Sequence, residues 1–143
     1  MQTVLFLCTG NYYRSRFAEA FFNWHAEQRG LQWRADSRGL APDLSNPGMM
    51  YHRTAAHLTA LGIPVEPYER LPMSVTNADL KAADLVIAVK GTEHRPMVER
   101  DFIDWVDRIE FWEVHDLDVT TPDVTFPHLE REVLSLIERM AKE

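Results

Sequence analysis

The sequence predicts an α/β domain built on a parallel sheet with helices on both faces. Short apolar runs alternate along the chain with longer segments of helical period, the pattern of strands joined by crossover helices. The first run, Thr3 to Leu7, is apolar on both alternations, which suits a central strand covered on both sides. With 143 residues, of which 45% are hydrophobic, the chain has the size of one domain with a real core. No internal repeat or low-complexity linker marks a second, so residues 1–143 read as a single domain.

The elements follow in order. The first run breaks after Cys8, where small and polar residues begin. Arg14 to Arg29 places Phe17, Phe21 and Trp24 at helical spacing, with Ala18 and Phe22 alongside, and Gly30 supplies the stop. Leu31 to Ser37 reads as the second strand, and Arg38 to Gly48, with its prolines and glycines, as loop. Met50, Leu58 and Leu61 share a face and predict a helix over Met49 to Leu61, ended by Gly62. Ile63 to Val75 carries three prolines and no clean period, so an irregular crossing with at most a short strand is expected. Asp84 to Lys90, holding LVIAV, is a buried strand, Glu93 to Ile103 a helix, and Arg108 to Trp112 a fourth strand. After the loop EVHDLDVTTPDVTF, the stripe Leu129, Val133, Leu136, Ile137 and Met140 predicts a closing helix.

Composition narrows the function. The chain has 15 Lys and Arg against 22 Asp and Glu, a net charge of −7 that disfavours general affinity for nucleic acid or an anionic membrane. Any bound anion must therefore meet a local positive site. The one cysteine, Cys8, excludes an internal disulfide, a CxxC redox pair and a cysteine-rich zinc site, and fits a reducing cytoplasm. The start MQTVLFLC lacks the basic residues and length of a signal peptide, and no apolar run approaches the ~18 residues that span a bilayer. The histidines are scattered without HExxH spacing, so no metal site is expected, although His115, Asp116 and Asp118 lie together.

The chemistry concentrates in CTGNYYRS, Cys8 to Ser15. A lone cysteine that ends a buried strand is often only packing. Open parallel sheets, however, bind ligands beyond the carboxyl ends of their strands, where Cys8 falls. Thr9, Gly10, Asn11, Tyr12 and Tyr13 are few enough to wrap a tight arc before the helix, so their backbone N–H groups can converge on one anion at the helix N-terminus. Gly10 permits a positive φ, and Asn11 tolerates one. Arg14 adds a planar fork of donors that matches two oxygens of a phosphoryl group. Arg16, a second cation in the first helical turn, is unfavourable there by a few tenths of a kcal/mol unless an anion sits nearby. Positive groups of this kind favour thiolate over thiol, and Ser15 can donate its hydroxyl to the sulfur. The pattern is that of an activated nucleophile beside donors for the group it attacks. A Walker-type cradle is excluded, because its Gly-Lys-Ser/Thr signature is absent.

CTGNYYRS resembles the Cys-x5-Arg-Ser loop of the low-molecular-weight protein tyrosine phosphatases, which begins at the first strand and includes the Gly-Asn pair seen here as Gly10 and Asn11. FAEAFF, the DSRG after the second strand (usually Ser-Ala-Gly in the family), the ADLVIAV strand and the late aspartate-bearing loop extend the likeness over nearly the whole chain. The resemblance implies a three-layer sandwich of the phosphotyrosine protein phosphatase I type, around a four-stranded parallel sheet in the order 2-1-3-4. It also implies hydrolysis of phosphate monoesters, foremost protein phosphotyrosine, through a phosphocysteine. In that scheme Cys8 attacks phosphorus, Arg14 and the loop from Thr9 to Ser15 bind the oxygens, and water later releases phosphate. No cofactor is implied. The partners implied are a phosphotyrosyl protein or aryl phosphate, with inorganic phosphate or vanadate as inhibitor, and the expected form is a cytoplasmic monomer.

The family's general acid lies in an Asp-Pro-aromatic stretch after the last strand. Here the segment is WEVHDLD, where Asp116 matches by its distance from the strand while Leu117 and Asp118 replace the proline and the aromatic. Asp116 is the expected acid and base, ahead of Asp118, with His115 as an alternative shuttle. Tyr13 stands where many members carry a second cysteine, so a protective disulfide with Cys8 is impossible. With the acid-loop aromatic missing, Tyr12, Leu40 and Asp118, and behind them Tyr13 and Leu44, are the candidate pocket walls. Other readings stay open. The eroded acid stretch favours a module that binds phosphorylated partners with slow or no turnover. Arsenate reduction would need an external thiol, and Arg14 argues against a phosphocysteine carrier.

Overall fold

The computed structural model describes all 143 residues. In chain order they form β1 (Gln2–Cys8), α1 (Arg14–Gln28), β2 (Trp33–Gly39), α2 (His52–Ala60), α3 (Asn77–Ala82), β3 (Leu85–Ala88), α4 (Gly91–Asp101), β4 (Ile109–Phe111) and α5 (Pro122–Ala141). The strands make one four-stranded sheet, order β2-β1-β3-β4, with every pair parallel. This is the topology expected of the sequence.

β1 is central because both of its faces are apolar. Val4, Phe6 and Cys8 pack with Phe17, Phe21 and Phe22 of α1, Leu58 of α2 and the Leu129–Met140 stripe of α5. Leu5 and Leu7 join a second core with Leu80 of α3, Val98 of α4, and Val86 and Ile109 of the neighbouring strands. Helices therefore cover both faces of the sheet, and the carboxyl ends of β1 and β3 open on one edge. No helix is long and apolar enough to cross a membrane.

Three segments depart from the expected pattern. α2 begins at His52, later than the predicted Met49, because the residues before it are tied to the loop after β1: Tyr51 N donates to Tyr12 O (2.9 Å) and Met49 O accepts from Arg16. Leu61, predicted on its buried face, lies beyond the helix end and is exposed. α3 was not predicted, since Leu80 is its only buried residue. Its start is a capping box in which Thr76 Oγ1 accepts from Asp79 N and Asp79 accepts from Thr76 N. α5 starts at Pro122, inside the predicted loop, with proline in its first turn and Asp123 beside it, both favourable at a helix N-terminus. The crossing from Ile63 to Val75 is irregular, with one 3-10 turn at Glu66–Tyr68 and a single bridge, Gly39 to Ser74.

Candidate functional site

The residues between Cys8 and α1 form the expected arc. Not one backbone N–H from Gly10 to Arg16 donates to a protein acceptor. α1 has neither a side-chain N-cap nor an acid in its first turn, so its leading amides remain available to an anion. Of the two residues able to take a positive φ here, Asn11 does so, with φ 50°, and Gly10 does not. Such a conformation is unfavourable for a residue with a Cβ, and the Asn11 side chain holds it. Its Oδ1 accepts from Arg70 Nη1 (2.9 Å) and Met73 N (3.0 Å), and its Nδ2 donates to Ser15 Oγ (3.0 Å) and Ser37 Oγ (2.9 Å). β2 approaches so closely that a Cβ at Gly39 would lie 2.9 Å from Thr9 O.

Cys8 Sγ sits 2.9 Å from Ser15 Oγ. Ser15 Oγ, with two lone pairs, accepts from both the Cys8 thiol and Asn11 Nδ2. The web continues inward, as Ser37 Oγ accepts from Asn11 and Arg70 and donates to Glu19 Oε1 (2.6 Å). Burial pushes the Glu19 carboxyl up, against the bond from Ser37.

Arg14 is buried and its guanidinium is heavily engaged. Nη1 donates to Val114 O (3.0 Å), while Nη2 meets Glu93 Oε2 (2.9 Å), Glu93 Oε1 (3.2 Å) and Asp116 Oδ2 (3.1 Å). Burial opposes the Arg14 charge, but Cys8, Glu93 and Asp116 outweigh it and raise the guanidinium above its usual value. Glu93 also accepts from Thr9 Oγ1 and lies 3.1 Å from His94 Nε2. Burial works against the Glu93 charge, yet its bonds with His94, Arg14 and Thr9 prevail and hold the carboxyl well below the usual range. The native state then binds fewer protons than the unfolded chain as pH falls through the ordinary glutamate value of about 4.3. This contribution to stability is complete above that pH and is lost below it. Glu93→Gln is expected to flatten the decline of urea stability between about pH 5 and pH 3; an unchanged decline would contradict the assignment.

A cleft of about 390 Å³ opens over the loop, lined by Cys8, Gly10, Tyr12, Tyr13, Arg14, Asn46, Pro47, Tyr51, His52, Asp116 and Leu117. It unites the sulfur, the arginine and Asp116. Tyr12 donates through its hydroxyl to Pro47 O, while Tyr51 packs on Tyr12 and Tyr13 with ring centroids 6.0 and 5.1 Å away.

Several expected site residues lie elsewhere. Leu40 is buried in the second core with Leu5, Leu7 and Val75 rather than in the cleft, because it continues the β2 alternation and its N–H donates to Cys8 O (2.9 Å). Asp118 and Leu44 are exposed and do not line the cleft. Arg16 turns away from the anion site. It is fully buried and donates to the carbonyls of Asn11, Met49, Tyr68 and Arg70, and burial with Arg70 beside it lowers its guanidinium to about 10. Glu93, Arg70, Glu19, Tyr51 and Leu117 were missed. Only Ser37, within DSRG, carried a sequence signal.

The chain matches the family described as low molecular weight phosphotyrosine protein phosphatase over residues 3–143. No curated protein matches it by sequence. Among solved structures, the low molecular weight protein tyrosine phosphatase of T. tengcongensis is 26% identical, with a TM-score of 0.78 and 99% of each chain covered. Another from Bacillus subtilis, solved in solution, is 24% identical, with a TM-score of 0.82 and the same 99% coverage of both chains. The YwlE arginine phosphatase of Geobacillus stearothermophilus is 20% identical, with a TM-score of 0.71, 99% of this chain covered and 92% of that one. The family match embraces the sheet, the Cys8–Ser15 arc and the Asp116 loop together, and the chain belongs to the low molecular weight phosphotyrosine protein phosphatase family.

Proposed function

We propose that the protein hydrolyses phosphate monoesters of protein tyrosine through a phosphocysteine on Cys8. The observation that carries this reading is the convergence in one cleft of Cys8, the loop residues Gly10, Tyr12 and Tyr13 with their unpaired amides, Arg14 and Asp116. The amides and Arg14 bind the phosphoryl oxygens and place phosphorus over Sγ. Charge that spreads onto those oxygens in the transition state meets donors already in position. Asp116, which faces the cleft from the loop after β4, protonates the departing oxygen and then takes a proton from the water that attacks the phosphocysteine. Ser15 stabilises the sulfur as it leaves. The flat walls of Tyr12, Tyr13 and Tyr51 suit an aryl group, and Asp116 in the cleft supports turnover over simple phosphate binding.

Asp116→Asn is expected to slow hydrolysis of aryl phosphates by about 10²–10⁴-fold, most for substrates with poor leaving groups. Steady-state rates across a series of substituted phenyl phosphates measure this. If Asp118→Asn produces the loss and Asp116→Asn does not, the acid is Asp118. The same aromatic walls, with Asp116 at the rim, also accept a planar guanidinium, so phosphoarginine peptides belong in the assay beside phosphotyrosine peptides. A kcat/KM higher for phosphoarginine would move the substrate from tyrosine to arginine while keeping the chemistry.

A further inference from the structure

Arg14 has to reach from the first turn of α1 back over the arc before its fork faces a phosphoryl group, and a free arginine side chain samples many rotamers. Here it is held at both ends of the guanidinium by groups that belong to neither the arc nor the substrate. Val114 O takes Nη1, and Glu93 takes Nη2 through both carboxylate oxygens, leaving Nε without a protein acceptor. Glu93 stands in the first turn of α4, at the carboxyl edge of β3 beside β1. Its carboxylate is itself fixed: Thr9 donates its hydroxyl to Oε2, and His94 Nε2 lies 3.1 Å from that atom. His94 is fully buried, and its Nδ1 accepts from Lys90 N (3.1 Å). That bond assigns the ring proton to Nε2, so His94 donates to Glu93 and aims it at Arg14. Thr9 opens the arc and Arg14 closes it, and Glu93 touches both.

We propose that Glu93 is a positioning residue that clasps the two ends of the phosphate loop and sets the Arg14 fork before substrate arrives. Asp116 also contacts Nη2, but it sits on a loop and must release Arg14 to carry a proton, whereas Glu93 stands on a helix and is anchored, besides Arg14, by two donors, Thr9 and His94. The inference rests on the phosphatase reading for its kinetic consequence, and on geometry alone for its effect on phosphate binding.

The test is a double-mutant cycle of Glu93→Gln and Arg14→Ala, read by kcat and KM for para-nitrophenyl phosphate and by calorimetric titration with inorganic phosphate. Glutamine keeps the size of Glu93 and an oxygen for Thr9 and His94 but loses the charge that holds Arg14. Glu93→Gln is expected to lower kcat/KM by about 10²-fold, the effect of a misplaced catalytic group, and to weaken phosphate binding. In the Arg14→Ala background the same change should alter either quantity by no more than about twofold. Equal losses in both backgrounds, or a Glu93→Gln enzyme like wild type, would overturn the clasp. If urea titration shows Glu93→Gln unfolded, Glu93→Asp serves in its place, with an intermediate loss expected only when Arg14 is present and an additive loss overturning the proposal. If the wild-type protein hydrolyses nothing, the phosphatase reading fails, while the phosphate-binding cycle still decides the clasp.

Discussion

Cys8→Ser is expected to leave no measurable hydrolysis of aryl phosphate while inorganic phosphate still binds. The sulfur lines the cleft and is almost completely buried at the end of β1. A serine hydroxyl has a much higher intrinsic proton affinity than a thiol and is the poorer nucleophile at this position. Binding depends on different atoms. The amides from Gly10 to Arg16 and the Arg14 fork do not change with the substitution. Steady-state turnover with para-nitrophenyl phosphate and calorimetric titration with phosphate measure the two quantities. Retained turnover would end the covalent mechanism; loss of phosphate binding with the fold intact would mean that the arc is not the anion site.

Arg14→Lys is expected to reduce kcat/KM by about 10²–10³-fold, the effect of removing one preorganised donor to a developing oxyanion. Lysine keeps the charge but not the shape, since one ammonium cannot meet Val114 O, Glu93 and a phosphoryl oxygen in the plane that the guanidinium spans. The deficit also has an electrostatic part. Glu93 and Asp116 both face this position, and with a poorly placed cation between them they repel a phosphate dianion. The loss should therefore include KM as well as kcat. A lysine variant with near-wild-type kinetics would show that charge alone is needed and that the fork has no role.

The sequence was legible wherever one stretch of chain contains its own cause. β1 follows from an apolar run that two faces must cover, and α1 and the α5 stripe follow from helical period. The Cys8–Ser15 arc is local, so its residues could be named before any coordinates. What stayed hidden is built from separated segments. Glu93 reaches Thr9 across 84 positions, and Arg70 reaches Asn11 across 59; no local pattern distinguishes these two charged residues from the many others on an acidic chain. Leu40 misled because an apolar residue in a loop near a site reads as pocket wall, whereas β2 alternation carries it to the core on the other face. Arg16 misled in a similar way: its helical position suggests an anion, but its guanidinium is satisfied by four backbone carbonyls. α3 had a signal, the Thr76–Asp79 box, but too few apolar residues to display a period.

The bonds on Asn11 have a consequence for how the protein comes into being. The arc precedes in the chain the contacts that hold its left-handed turn, which come from Ser37, Arg70 and Met73, the last of them 62 positions downstream. Contacts of such separation form only when the intervening chain has been ordered. A nascent or partly unfolded chain thus carries the nucleophile without the shape that arms it. Local opening of the Arg70–Met73 crossing would slacken the arc even with β1 and α1 in place. On the proposed mechanism, catalytic competence is in this sense a late property of the whole molecule, and Cys8 lacks a formed phosphate site until the rest of the fold has closed around it.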